Sequence, residues 1–313
     1  RYHNYTCEHD IFVRQGYAPI TINGNAESNN NPAWTSYNVY RFDANNAPVY
    51  TKSPLEEGSL FRRGNRTAIL ASNNDRSGFT FGVEPTGSFN VLEFGSATTS
   101  QKTWSQLAPS TDDVTNRFKE WSIAGDHERI ATIEDFYTLE STSIHSNINK
   151  AYGVLYGDGA TETQKSVKEA FGYDHNEDPT NSKKGMRGCF VFNVNNSRNI
   201  FFPIGKSGYG RRKGMTSNGE KVGTLRYAQR TDYYNNDGTG NIQYVPLFYD
   251  LFERPGAIYQ CRNRLESTNN EVKNSSAFDI NYFTMGFEGF ENGASNNNNG
   301  SDSDACFIRT VKY

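Results

Sequence analysis

The residues best suited to make outward contacts are aromatic and basic, and they gather between positions 209 and 234: Tyr209, Arg211, Arg212, Lys213, Arg226, Tyr227, Arg230, Tyr233 and Tyr234. Tyrosine rings and guanidinium groups supply broad amphipathic contact area, which is why binding hot spots favour them. Tyr209, Arg211, Arg226, Tyr233 and Tyr234 are therefore the expected ligand- or partner-binding residues. The same set admits a plainer role, with the tyrosines packed beneath loops and the arginines solvated.

Arrangements that would carry catalysis are weaker. Gly205-Lys206-Ser207 matches the end of a phosphate loop, but such a loop needs a glycine five residues earlier, where Ile200 stands. The five histidines, His3, His9, His127, His145 and His175, form no close ligand pair, and no GxSxG nucleophile elbow occurs. Asn296 to Asn299 with Asp302 and Asp304 is rich in oxygen donors yet lacks the spacing and terminal Glu of an EF-hand loop, which reads as a solvated loop. Acidic residues are abundant, but nothing in their order places two across a cleft as glycoside hydrolysis needs. The expectation is no catalytic residue, no metal site and no cofactor.

Four cysteines, Cys7, Cys189, Cys261 and Cys306, stand far apart with no CxxC pair, which argues against a zinc ribbon or a thioredoxin-like motif. An even, dispersed set suits two disulfides or isolated buried thiols, and three full connectivities remain open. Cys189 alternates with Val191 along a strand, the placement of a core thiol.

A net charge of −3, from 32 basic and 35 acidic residues, generates no long-range field to gather nucleic acid or an anionic membrane. No stretch approaches the roughly 20 apolar residues that a membrane helix needs, and nothing near Arg1 has the apolar core of a signal peptide. The chain as given is thus expected to be soluble, with any export signal upstream or removed. The 313 residues can fill one large domain or two ordinary ones, and 21 Phe and 19 Tyr supply much of the apolar core. Richness in Asn, Gly and Tyr with few Met favours an exported protein.

The elements that would position these residues come in two styles. Asp10–Val13, Ala18–Ile22, Tyr37–Phe42, Thr67–Ala71, Phe79–Val83 and Phe89–Phe94 are β-branched or aromatic runs separated by turn formers such as Asn29-Asn30-Asn31-Pro32, and they predict an all-β, sandwich-like unit over 1–112. A polar stretch from Gly95 to about Thr115 reads as a linker. Over 113–313 the pattern predicts an α+β unit. Thr132-Ile133-Glu134-Asp135 fits a capping box with Asp in the place of Glu, setting Ile133, Phe136, Tyr137 and Leu139 near one helix face. A second helix is expected over Glu162–Phe171. Cys189–Val194 and Asn199–Ile204 then predict a hairpin turning at Asn195-Asn196-Ser197.

From about Trp121 to Tyr313 this order resembles the Fibrobacter succinogenes major paralogous domain and its relatives with a C-type-lectin-like, formylglycine-generating-enzyme-like fold, found in surface proteins of Bacteroidota and Fibrobacter. Arg129-Ile130-Ala131-Thr132-Ile133-Glu134-Asp135-Phe136-Tyr137-Thr138-Leu139 is similar to the family's "W R (I/L) P T x x E (F/W) x x L", with Ala131 replacing the proline. Asn199 to Arg211 resembles its hairpin and glycine-aromatic loop, and Ala305 to Lys312 its closing strand "G F S V R C V K" with the cysteine displaced. Leu225 to Thr231 stands in the place of "Y W S S T" without its tryptophan and serines.

The resemblance implies an α+β scaffold with the termini close together, and a binding face of loops over 205–223, 233–244, 261–276 and 289–304. It also implies a Cys261–Cys306 disulfide tying a long loop to the closing strand. Paired active-site cysteines of formylglycine-generating enzymes have no counterpart here. The function expected is an extracellular, non-enzymatic binding module or adhesin contacting a cell-surface glycan or protein. The alternatives are a structural subunit of a filament, pilus or phage particle that binds copies of itself, and a polysaccharide-acting enzyme.

Overall fold

The architecture is that of a computed structural model, in which residues 19–21, 32–62, 64–71, 87–107, 122–124, 127–139, 148–155, 186–203, 233–234, 242–243, 256–265, 275–281, 286–290 and 305–312 are described. Before residue 104 the described strands are β1 (Ala33–Trp34), β2 (Val39–Phe42), β3 (Pro48–Tyr50), β4 (Ser59–Arg62), β5 (Ala68–Leu70), β6 (Ser88–Leu92) and β7 (Thr99–Thr103). Then come β8 (Glu128–Ile130), helix α1 (Ile133–Thr138), β9 (Ile148–Leu155), β10 (Met186–Asn193) and β11 (Asn199–Pro203). The remaining strands are β12 (Tyr233–Tyr234), β13 (Ile242–Gln243), β14 (Gly256–Leu265), β15 (Ser275–Asn281), β16 (Gly286–Phe290), β17 (Ala305–Cys306) and β18 (Thr310–Lys312). The described residues are mostly β-strand in several sheets with very little helix, and no described helix is long and apolar enough to cross a membrane.

A five-stranded antiparallel sheet in the order β17-β4-β5-β6-β7 is the middle layer. Alternation of side chains along its strands feeds two cores. Leu60, Ile69, Phe89 and Val91 face one of them, and Phe61, Ala68, Leu70 and Leu92 face the other. The second core is closed by Val39 and Phe42 of β2, Ile130 and Ile308. Helix α1 and the sheet β11-β10-β9 contribute to the first core, as do Trp34, Tyr259 and Phe307.

The local elements follow their sequence signals. Thr132 caps α1 by accepting from the Asp135 N–H at 3.2 Å, while the Asp135 carboxylate accepts from the Thr132 N–H at 2.8 Å. Phe136 and Leu139 of that helix are buried in the first core, with Tyr137 packed against it. Asp135 also forms an ion pair with Arg129, one strand earlier. The hairpin of β10 and β11 turns where the three polar residues predict it, with Phe192 opposite Asn199 and Ser197 in the left-handed region at φ 58°. Cys189 is buried with Val191 on the core side of β10. The expected strands at Asp10–Val13 and Phe79–Val83 and the expected helix at Glu162–Phe171 lie outside the described residues.

Three expectations are corrected. The polar stretch after Gly95 contains β7, a strand whose exposed and half-exposed residues alternate, followed by Trp104 buried in the first core. A polar edge strand has no apolar period for a pattern search to detect. The division into 1–112 and 113–313 also differs from the packing: β18 pairs with β1, β17 pairs with β4, and the first core runs from Ile20 to Val311. A cut near 112 would pass through two sheets and a shared core.

The Cys261–Cys306 disulfide is not formed, both residues being buried thiols. Sidedness explains it. Tyr259 bridges Phe307 in parallel, and Cys261, two residues on, shares the Tyr259 side and the first core. Cys306 precedes Phe307 by one residue and sits opposite Phe61, on the side of the second core.

Candidate functional site

The seam where β1 meets β18 gathers a connected network of buried and half-buried polar groups. Ala33 pairs with Lys312 and Trp34 with Val311, while β8 flanks β18 on the other side with Glu128 opposite Lys312. Just beyond β1, the Thr35 N–H and Oγ1 both donate to the Thr310 carbonyl at 3.0 Å.

Beneath this seam Arg309 is completely buried. Its Nε donates to Asn38 Oδ1 at 2.8 Å, one terminal nitrogen to the carbonyls of Thr35 and Ser36 at 3.1 Å each, and the other to the Phe201 carbonyl at 2.9 Å. The guanidinium carbon lies 4.8 Å from the centre of the Phe202 ring. A planar group with five N–H donors suits this task, because it satisfies several fixed acceptors at once while its face remains available to an aromatic ring. The acceptance from Arg309 fixes the Asn38 amide, whose nitrogen donates to the Glu57 carbonyl at 2.8 Å and to the Tyr259 hydroxyl at 3.3 Å. Burial pushes the Tyr259 phenol up to about 12, with the Arg309 charge and the hydrogen bonds from Asn38 and Arg309 acting in the opposite direction. It stays protonated at physiological pH.

Above the seam a second network reaches the surface. The Tyr50 hydroxyl is 2.5 Å from Thr310 Oγ1, which lies 3.0 Å from Thr35 Oγ1 and donates to Glu128 Oε1 at 2.7 Å. Each hydroxyl has one proton, so a consistent assignment sends Tyr50 to Thr310 and Thr310 to Glu128. Burial raises the Glu128 carboxyl above its ordinary value, only partly offset by the Thr310 hydrogen bond and the Lys312 charge.

Around Tyr50 the surface sinks into a hollow of about 210 Å³, walled by Pro19, Trp34, Thr35, Ser36, Tyr37, Tyr50 and Lys312. Drug-sized pockets start at about 300 Å³, so this space suits one sugar ring or one protein side chain. Its walls offer tyrosine rings, hydroxyls and one ammonium on a floor already committed to hydrogen bonds. Trp34 in that wall is buried, and its Nε1 has no hydrogen-bond partner among the described residues.

Of the binding residues expected from the sequence, Tyr209, Arg211 and Arg226 lie outside the described residues. Tyr233 and Tyr234 form β12, whose backbone pairs with Gln243 and Ile242 of β13. The oxygen-rich segment at 296–304 also lies outside the described residues. Sequence reasoning missed the hollow, because Tyr37, Tyr50 and Lys312 come together only when β1 and β18 pair. One signal was present: Arg309 and Thr310 stand between the apolar pair Phe307-Ile308 and Val311, and an arginine there needs acceptors.

Comparison of the chain with family models, with curated proteins and with solved structures finds no match.

Proposed function

We propose that this chain is an extracellular, non-enzymatic binding module or adhesin of C-type-lectin-like build, which recognises a glycan or protein on a cell surface. The observation that carries this reading is the hollow flanked by Tyr37 and Tyr50 at the β1–β18 seam. A shallow site with tyrosine walls and hydroxyl edges suits recognition of a sugar ring or an exposed side chain, since aromatic faces cover the apolar side and hydroxyls meet the polar groups. The rigid floor supports it too: Arg309, Asn38 and Thr310 hold their neighbours before any ligand arrives, which lowers the entropy lost on binding. Within residues 121–313, where the resemblance lies, the pairing of β8 with β18, the capped α1 and the hairpin of β10 and β11 support this reading. That scaffold would present Tyr209, Arg211, Arg226, Tyr233 and Tyr234 on its loop face.

Binding of the purified chain to arrayed glycans and surface proteins tests the proposal with two variants, Tyr37→Ala and the quadruple alanine replacement of Arg211, Arg226, Tyr233 and Tyr234. A bound partner lost with Tyr37→Ala, at unchanged melting temperature, assigns recognition to the hollow. Loss only in the quadruple variant assigns it to the loop face. Absence of binding by the parent chain, or binding that neither variant weakens, rejects the reading.

A further inference from the structure

Strand β7 ends its sheet, and among the described residues nothing pairs with its outer edge. In antiparallel strands the residues facing each other alternate between pairs that exchange hydrogen bonds and pairs that do not. The Thr103 N–H donates to the side chain of Gln106 at 2.8 Å and so turns away from its neighbour Ser88 on β6. By alternation the main-chain groups of Gln101 and Thr99 also point outward, whereas those of Ser100 and Lys102 are used within the sheet. Thr99, Gln101 and Thr103 are exposed.

Natural edge strands are usually guarded by a proline, a bulge or a projecting lysine. Here the strand is Thr-Ser-Gln-Lys-Thr, without proline, and it pairs with β6 in unbroken register. Its one lysine is drawn back across the sheet, with Lys102 Nζ 2.9 Å from Glu93 Oε2. Ser100 Oγ donates to the other Glu93 oxygen at 2.8 Å. The guard is therefore engaged elsewhere, and among the described residues nothing pairs with the outward main-chain groups of Thr99 and Gln101.

The sequence of this edge is also complementary to itself. A two-fold axis through Gln101 places Gln101 opposite Gln101, Thr99 opposite Thr103 and Ser100 opposite Lys102. Threonine pairs stabilise antiparallel neighbours, and like charges placed opposite each other destabilise them. This register makes two threonine pairs, brings two side-chain amides together and sets each lysine against a serine. It is an isologous contact of the kind that closes a two-fold dimer.

We propose that β7 pairs antiparallel with β7 of a second copy of this chain about an axis at Gln101, joining the two five-stranded sheets into one. Each Thr103 N–H stays with Gln106, so the ladder consists of the reciprocal Gln101 pair and, on each side, one bond from the Thr99 N–H to the facing Thr103 carbonyl. That is a small contact compared with a standard interface, so the association is weak and concentration-dependent.

Sedimentation velocity over a concentration series, with Gln101→Lys and Gln101→Glu as variants, tests this. Each substitution sets two like charges against each other on the axis, and Gln101 is exposed, so the melting temperature should match the parent. The parent is expected to dimerise as concentration rises, each variant alone to lose at least tenfold in dimer affinity, and an equal mixture of the two to recover it as a heterodimer. A parent that stays monomeric at every concentration overturns the proposal. So does a dimer that both substitutions leave intact, or a mixture that fails to pair.

Discussion

Arg309 shows how much one side chain can organise when its charge is taken out of water. Removing a guanidinium from solvent costs several kcal/mol, and its acceptors on Thr35, Ser36, Asn38 and Phe201 must offset that cost. Once the arrangement exists, deleting the charge is expensive for a second reason, because buried acceptors lose their donor. Arg309→Met should lower unfolding free energy by about 1–3 kcal/mol, the cost of leaving buried acceptors unpaired, read from urea unfolding. Arg309→Lys should recover little of it, since one ammonium cannot reach acceptors that a fork spans. A loss below ~1 kcal/mol in the methionine variant would show that Asn38 and Tyr259 hold this region without it. The residue is visible in the sequence as a charge set directly after Phe307 and Ile308. Its partners are not, because Asn38 lies 271 positions away and Thr35 lies 274 away.

At the scale of elements, what could be read depended on whether the signal was local. The cap of α1 involves residues three apart, and the hairpin of β10 and β11 turns over a few polar residues, so both are legible. Strand β7 is not, because it buries neither face enough to impose an apolar period. Within the β10–β11 hairpin, Gly188 has a role invisible to any pattern. A methyl group there would lie 2.3 Å from the tip of the Phe201 ring and 2.4 Å from the Phe202 carbonyl oxygen. Gly188→Ala must therefore push β10 and β11 apart, and Phe202 with them, although it packs against Trp34 and Tyr259. Thermal unfolding should show a loss of about 1–3 kcal/mol, as overpacked cores do. An alanine variant as stable as the parent would mean that the strands move aside at no cost.

Across the whole molecule, long-range pairing decides the architecture. The expected division near residue 112 followed a real change in composition, yet the closing segment 305–312 returns to strands laid down far earlier in the chain. A fragment of residues 1–112 would keep β4 to β7 but lose β17 beside β4, β18 beside β1, and the Tyr259, Phe307 and Phe202 side of the first core. It should show neither cooperative unfolding nor dispersed amide resonances by NMR, whereas a folded fragment with a sharp thermal transition would restore the two-unit division. The hollow shares this dependence, since Lys312 belongs to its wall. The same return of the chain sets a timetable. Thr35 and Thr310 are 275 positions apart, so while a ribosome adds about 5–20 residues each second the early strands wait tens of seconds for the partners that complete them. During that interval their apolar faces and unpaired edges are available to holding chaperones.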